Sequence, residues 1–227
     1  MAVPVVSSLN IACVGDSITY GSTASDPSTT AYPAFLMSSS LNGDRGHEVT
    51  NFGVSGTTVM KSGDSPYWST DAYQEALDSD ADVYVIQLGT NDAKYYQWDE
   101  EKYVDDYNAM IESFSALRDP SPDIWLSIPP PLYLDNIYEM NQTAINEALP
   151  ILVPFIASEN DYVTGVIDVF SALGGADLSK YEFFCNEQSC DQCHPNDQGY
   201  SVMAATVYKA LFMNGVKPSD STPALEL

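Results

Sequence analysis

Asp82-Val83-Tyr84-Val85-Ile86-Gln87-Leu88 runs directly into Gly89-Thr90-Asn91-Asp92. The run is rich in β-branched and aromatic residues and shows no in–out polar alternation. It therefore reads as a strand covered on both faces and stopped at a glycine. Strands of that kind belong to parallel sheets with helices on both sides. The rest of the chain agrees. Asn10 to Val14 is a short apolar run that ends in Gly15-Asp16-Ser17. Val49 to Val54 reads as a strand broken by glycine, Ile124 to Ile128 as a strand stopped by Pro129, Pro130 and Pro131, and Val163 to Phe170 as a further buried strand. Helical patterns separate them: Ala31 to Leu41, Tyr67 to Leu77, Lys102 to Leu117, Tyr138 to Phe155 and Pro195 to Met213. In the third, Tyr103, Tyr107, Met110, Ile111 and Phe114 share one face. In the fourth, Pro150 and Pro154 are expected to kink or split the helix. About five strands, each followed by a helix, predict an α/β fold with a parallel sheet between helical layers. Ligands of such sheets bind beyond the carboxyl ends of the strands.

The chain has 227 residues, which suits a single domain over 1–227 with a core of about 8–213. The stretch after Gly215 is polar and is expected to fray. There are 32 acidic and 8 basic residues, a formal net charge of −24, and no Lys/Arg cluster. Nucleic acid and anionic membrane surfaces are thereby excluded as main partners. Such acidity suits solubility in a saline or extracellular medium, with attraction for cationic substrates as the sharper alternative. The longest apolar runs, such as Leu149 to Ala157 with its two prolines, are too short for membrane insertion. The first residues lack a basic segment followed by a long apolar one, so they do not read as an intact signal peptide. A mature secreted chain with an added start Met, or a cytosolic chain, would look like this.

Four short blocks carry chemistry, each at the end of a predicted strand or just before the last helix. Gly15-Asp16-Ser17-Ile18 offers a serine on a tight turn, although a Ser after Asp by itself suits a helix cap. Asn51-Phe52-Gly53-Val54-Ser55-Gly56 offers main-chain N–H groups, with a plain strand-to-helix turn as the bland reading. Gly89-Thr90-Asn91-Asp92 offers a side-chain amide donor, or simply an Asx turn. Asp191-Gln192-Cys193-His194-Pro195-Asn196 carries His194, one of only two histidines. An Asp three residues before a His on a tight turn can hold its Nδ1–H and leave Nε2 free as a base. A lone His before Pro can equally be an exposed loop residue. Together the blocks supply the parts of an acyl-transfer site: nucleophile, base, orienting group and oxyanion donors.

The ordered set resembles the SGNH hydrolases, also called GDSL-like lipases and esterases. That family is named for Ser, Gly, Asn and His in four separated blocks, matched here by Ser17, Gly53, Asn91 and His194. The blocks span residues 15 to 194. The resemblance implies a three-layer α/β/α, flavodoxin-like fold and a Ser-His-Asp acyl-enzyme mechanism. Ser17 would attack the ester carbonyl, His194 would shuttle the proton, and Asp191 would orient His194. Ser17, Gly53 and Asn91 would form the oxyanion hole. No cofactor and no metal is needed for that chemistry.

Cys185, Cys190, Cys193 and His194 also form a close cluster, with Cys13 apart in the first strand. Zinc is one reading, but only one knuckle is present and coordination would disable His194 as a base. A disulfide within 185–193, either Cys185–Cys190 or Cys185–Cys193, is the other, with a second bridge from Cys13 left open; it points to an oxidising, secreted location. Tyr20, Tyr32, Tyr67, Trp68, Tyr95, Tyr96, Trp98 and Tyr133 crowd the loops after the blocks. They are read either as a platform for sugar rings or as ordinary packing. No hydrophobic lid is evident, so short acyl esters, including acetyl groups of carbohydrates, fit better than long-chain lipids. A lysophospholipase or thioesterase of the same family, and a non-catalytic carbohydrate-binding member, are the alternatives. The oligomeric state is left open.

Overall fold

A computed structural model of the chain describes residues 8–38, 40–42 and 46–213. The expectations for the first residues and for the tail after Gly215 lie outside the described residues. Five parallel strands form one sheet: β1 (Asn10–Gly15), β2 (Glu48–Gly53), β3 (Val83–Gln87), β4 (Asp123–Ser127) and β5 (Val163–Ile167). Their order is β2-β1-β3-β4-β5, the flavodoxin-like order.

Side-chain alternation along the central strands sends apolar residues into two cores. Ala12, Val14, Tyr84 and Ile86 face a layer made by α4 (Asp71–Asp78), α5 (Glu100–Ser115) and α6 (Leu149–Ser158). Ile11, Cys13, Val83 and Val85 face the opposite layer, which contains α3 (Tyr32–Met37), α7 (Val169–Ala172) and α8 (Asp197–Met213). The α5 face read from sequence is fully buried at Tyr103, Tyr107, Met110, Ile111 and Phe114. Two further one-turn helices, α1 (Ser17–Tyr20) and α2 (Pro27–Thr30), follow β1.

Three expectations need correction. The strand expected over Val163 to Phe170 stops at Ile167 and is a half-buried edge, because no strand follows it in the sheet. Asp168 then accepts from Ser171 N–H at 2.9 Å and starts α7. The helix expected over Tyr138 to Phe155 begins later. Asn136, Tyr138 and Glu139 adopt left-handed backbone (φ 61°, 53° and 65°), so this stretch is a loop. Pro150 has no N–H to donate, and the turn before it widens into a π-helical turn over Ala144–Ala148 rather than a sharp kink. The helix expected over Ala31 to Leu41 ends at Met37, where Ser38 turns to extended backbone.

The chain reverses its direction of sheet growth between β1 and β3, the switch point at which a crevice opens. Ser17 follows β1 and Asn91 follows β3, so both flank that crevice.

Candidate active site

The turn after β1 places Ser17. Asp16 is the N-cap of α1, its Oδ1 accepting from Ile18 N–H at 2.9 Å, and Gly21 ends the helix in left-handed backbone at φ 99°. The reading of the serine as a helix cap is therefore corrected: the cap is Asp16, and Ser17 is the first helical residue. Its N–H has no acceptor among the described residues.

The loop before α8 places the histidine. Asn196 caps α8 through Oδ1, donates from Nδ2 to Glu182 O at 2.7 Å, and its own N–H reaches Phe183 O at 2.8 Å. Several bonds tie this loop and the start of α8 to the segment after α1. Thr23 Oγ1 donates to Pro195 O at 2.7 Å, Tyr200 OH to Ser22 O at 2.7 Å, and Ser25 Oγ to Asp197 at 2.5 Å. His194 is thereby brought to the end of the first strand. Ser17 Oγ lies 2.8 Å from His194 Nε2, and His194 Nδ1 lies 2.6 Å from Asp191 Oδ2. Asp191 Oδ1 accepts from the N–H groups of Cys193 and His194 at 2.9 and 2.8 Å. Burial raises the Asp191 carboxyl, but the bond to His194 and these N–H groups outweigh it and hold it below its usual value. The arrangement can move a proton from Ser17 to His194 while Asp191 keeps Nδ1 as the protonated nitrogen.

Asn91 is buried, with Nδ2 donating to Thr57 O at 3.2 Å and more weakly to Asp16 Oδ2 at 3.4 Å. Its carbonyl accepts from Gln97 Nε2 at 2.8 Å, which locks its backbone. Ser17, Asn91, Asp191 and His194 share one cleft of about 450 Å³ with Gly56, Lys94 and Tyr138.

Gly53 does not line that cleft. Its N–H is donated to Asn51 Oδ1 at 2.9 Å, and it ends β2, still paired with Gly15 in the sheet. A side chain there would sit 2.2 Å from Tyr20 N and 2.7 Å from Thr19 C. Gly53 is needed for the close approach of β2 to the backbone of α1. Gly53→Ala is therefore expected to destabilise the protein by about 1–3 kcal/mol through overpacking against main chain, read as a lower thermal midpoint. A midpoint equal to the wild-type one would refute the close-approach role.

The glycine that does line the cleft is Gly56, at the other end of the same block. It has left-handed backbone at φ 84°, open space where a side chain would stand, and an N–H with no acceptor among the described residues. The available signal was the strand end: a donor must lie beyond the ladder, and Gly53 is its last rung. Asp92, also passed over, fixes this segment by accepting from Val59 N–H at 3.1 Å and Met60 N–H at 2.7 Å.

Asp16 and Asp92 are both fully buried carboxyls. Burial pushes Asp16 up to about 6, against the Ile18 N–H, the facing His194 and the Asn91 amide. Burial pushes Asp92 up to about 7, helped by the charge of Asp16 and opposed by the N–H groups of Met60 and Val59. Both folded-state values exceed those of the unfolded chain, so the folded state binds more protons between about pH 4 and 7. Stability contributed by these groups is full below that window and is lost as pH rises through it. We expect the urea midpoint to be higher at pH 5.5 than at pH 8, by an amount worth a few kcal/mol (about 1.4 per pKa unit). A flat or rising midpoint over that range would contradict it.

Cys185 and Cys190 form a disulfide, while Cys13 and Cys193 are buried thiols. This selects one of the two pairings considered and removes the second bridge from Cys13. Burial pushes the Cys13 thiol up to about 12 and Cys193 upward as well, so neither is a thiolate. With two cluster cysteines bridged and His194 turned to Ser17, the zinc reading loses its ligands. Of the loop aromatics, Tyr32 and Tyr67 are fully buried, whereas Tyr20, Tyr95 and Tyr96 are at least half exposed. The packing reading therefore holds for Tyr32 and Tyr67 and not for the three exposed side chains.

Known proteins share this fold. The chain is 28% identical over 225 residues to an acetylxylan esterase of Xylanibacter ruminicola, covering 92% of this chain but only 44% of that protein's length. Its fold matches that of the native aryl esterase of M. smegmatis with a TM-score of 0.67 at 18% identity, covering 90% and 98% of the two chains. It also matches a carbohydrate acetylesterase of Sinorhizobium meliloti, TM-score 0.65 at 16% identity, covering 89% and 98%. A mutant acetyl-xylooligosaccharide esterase of Geobacillus stearothermophilus gives 0.66 at 19%, covering 96% and 100%. The profile of the GDSL-like lipase/acylhydrolase family matches residues 13–202, a span that holds Ser17, Gly56, Asn91, Asp191 and His194, and the chain belongs to that family.

Proposed function

We propose that this chain is a serine esterase that removes short acyl groups, acetyl foremost, from carbohydrate hydroxyls. The observation that carries the reading is the continuous Ser17–His194–Asp191 relay at 2.8 and 2.6 Å inside the switch-point cleft. His194 Nε2 takes the Ser17 proton as Oγ bonds to the carbonyl carbon. The carbonyl π pair moves to its oxygen, which the N–H groups of Ser17 and Gly56 and the Asn91 amide receive. The tetrahedral species collapses, the ester C–O bond breaks, and the leaving alkoxide takes the proton from His194. A water then repeats the sequence on the acyl-serine, releasing the carboxylic acid and returning the proton to Ser17.

The cleft is lined by Ser22, Thr23, Ser55 and Lys94 beside the apolar Tyr138 and Met140, which supports an alcohol with both hydroxyl groups and an apolar face. Three of the related proteins bear names that specify acetylated carbohydrates. The disulfide supports an oxidising, secreted location; no helix among the described residues is long and apolar enough to cross a membrane. The test is a series of p-nitrophenyl esters from acetate to laurate, with acetate release from acetylated xylan alongside. We expect kcat/KM to fall at least tenfold from acetate to octanoate. A rise with chain length would point to the lipid-type alternative.

A further inference from the structure

Tyr138 is an exposed aromatic held at the cleft in a conformation that its own packing does not explain. It is 52% exposed, and it lies among left-handed residues, Asn136, Tyr138 and Glu139, none of them glycine. Left-handed backbone is unfavourable for a bulky side chain and persists only where surrounding structure imposes it. That structure is visible. Tyr95 N–H donates to Glu139 O at 2.9 Å, Asn141 N–H to Ala93 O at 2.9 Å, and Asn136 N–H to Met140 O at 3.0 Å. Tyr95 OH reaches Asp135 Oδ1 at 2.8 Å. The loop is thus stapled to residues 93–95, close after Asn91, the proposed oxyanion donor.

The result is an aromatic ring beside the base. The Tyr138 ring centre is 5.9 Å from that of His194, tilted by 57°, and its hydroxyl makes only a long 3.4 Å contact with Asp191 Oδ2. His194 must hand its proton to the leaving oxygen, so the space next to His194 belongs to the alcohol half of the ester. The acyl oxygen lies instead toward Gly56 and Asn91. A half-exposed ring on the alcohol side, held rigidly, is a surface for a flat apolar face. The C–H face of a pyranose ring is such a face, and a small alkyl alcohol has almost none.

We infer that Tyr138 is a specificity-determining residue on which the acetylated pyranose stacks while its ester is cleaved. This rests on the proposed carbohydrate esterase function and deepens it. The experiment compares kcat/KM for acetylated xylotetraose with that for ethyl acetate, which lacks a ring to stack. In Tyr138→Ala the glycan-to-ethyl-acetate ratio is expected to fall about tenfold, mostly through KM for the glycan. Tyr138→Phe keeps the ring and should restore most of the ratio. Tyr138→Asn suits left-handed backbone and should behave like Tyr138→Ala, so loss of fold in the alanine variant does not end the test. An unchanged ratio in both Ala and Asn variants overturns the inference. So does a Phe variant as impaired as Ala, which would assign the effect to the hydroxyl and Asp191. If the wild-type protein cleaves ethyl acetate but releases no acetate from the glycan, the carbohydrate reading falls and the inference with it.

Discussion

Replacing Ser17 with alanine is expected to lower kcat for ester hydrolysis by about 10⁶-fold, a magnitude taken from serine hydrolases in which the nucleophile was removed. The substitution deletes one atom, Oγ, whose recorded partner is His194 Nε2. Alanine is a good helix former, and α1 keeps its Asp16 cap and its Gly21 end, so the fold should be retained. The rate that remains is what the proposed donors, the main-chain N–H groups of Ser17 and Gly56 and the Asn91 side-chain amide, would give to attack by water. Loss of Asn91's amide alone should cost far less, about 10²–10³ in kcat. Two measurements check the claim together. Initial rates on p-nitrophenyl acetate should drop to near background, and an organophosphate should add one phosphoryl group to the wild-type chain and none to the variant. Retained turnover, or a labelled variant, would move the nucleophile elsewhere.

The fold was legible because its signals are local. Val83 to Gln87 announces a strand buried on both faces, and the α5 stripe from Tyr103 to Phe114 announces its cover. The relay was legible because Asp191 and His194 share one turn and Ser17 ends a strand. Gly53 was misread because its block holds two glycines, and only the register of β2 against β1 tells that the first is still inside the ladder. Gly56, beyond the ladder, meets the cleft. The loop around Tyr138 was read as helix because Tyr138 to Phe155 carries a helical apolar pattern. Its left-handed residues are imposed by bonds to residues 93–95, more than forty positions away in sequence. Tertiary bonds of that kind leave no local trace, and this is also why the alcohol side of the cleft could not be read from the chain alone. The disulfide pairing had the same difficulty: Cys185 and Cys190 meet because residues 185–190 turn back on themselves, while Cys193 is drawn under Met140 with its Sγ 3.7 Å from Sδ.

Asp191→Asn is expected to lower kcat about 10⁴-fold with the site's geometry intact, as for the corresponding change in serine proteases. The argument is one of tautomers. Oδ1 of Asp191 accepts two main-chain N–H groups, so the amide oxygen of asparagine must face them. The amide NH₂ is then turned toward His194 Nδ1. That nitrogen must become an acceptor, and the ring proton shifts to Nε2, where it confronts Ser17 Oγ. His194 can no longer take the serine proton. Two carboxylates stand near His194, and this variant separates them. Asp16 is near enough to feel the charge of His194, but its oxygens are committed to Ile18 N–H and Asn91. If Asp191→Asn keeps kcat within tenfold of wild type on p-nitrophenyl acetate, Asp191 is not the orienting group and Asp16 becomes the one to test. If activity falls as expected while the thermal midpoint stays within a few degrees, the turn from Asp191 to His194 is the seat of the base. In that variant the two main-chain N–H groups do more than anchor the loop: by holding the amide oxygen they turn the NH₂ to Nδ1 and so put the ring proton on Nε2, against Ser17.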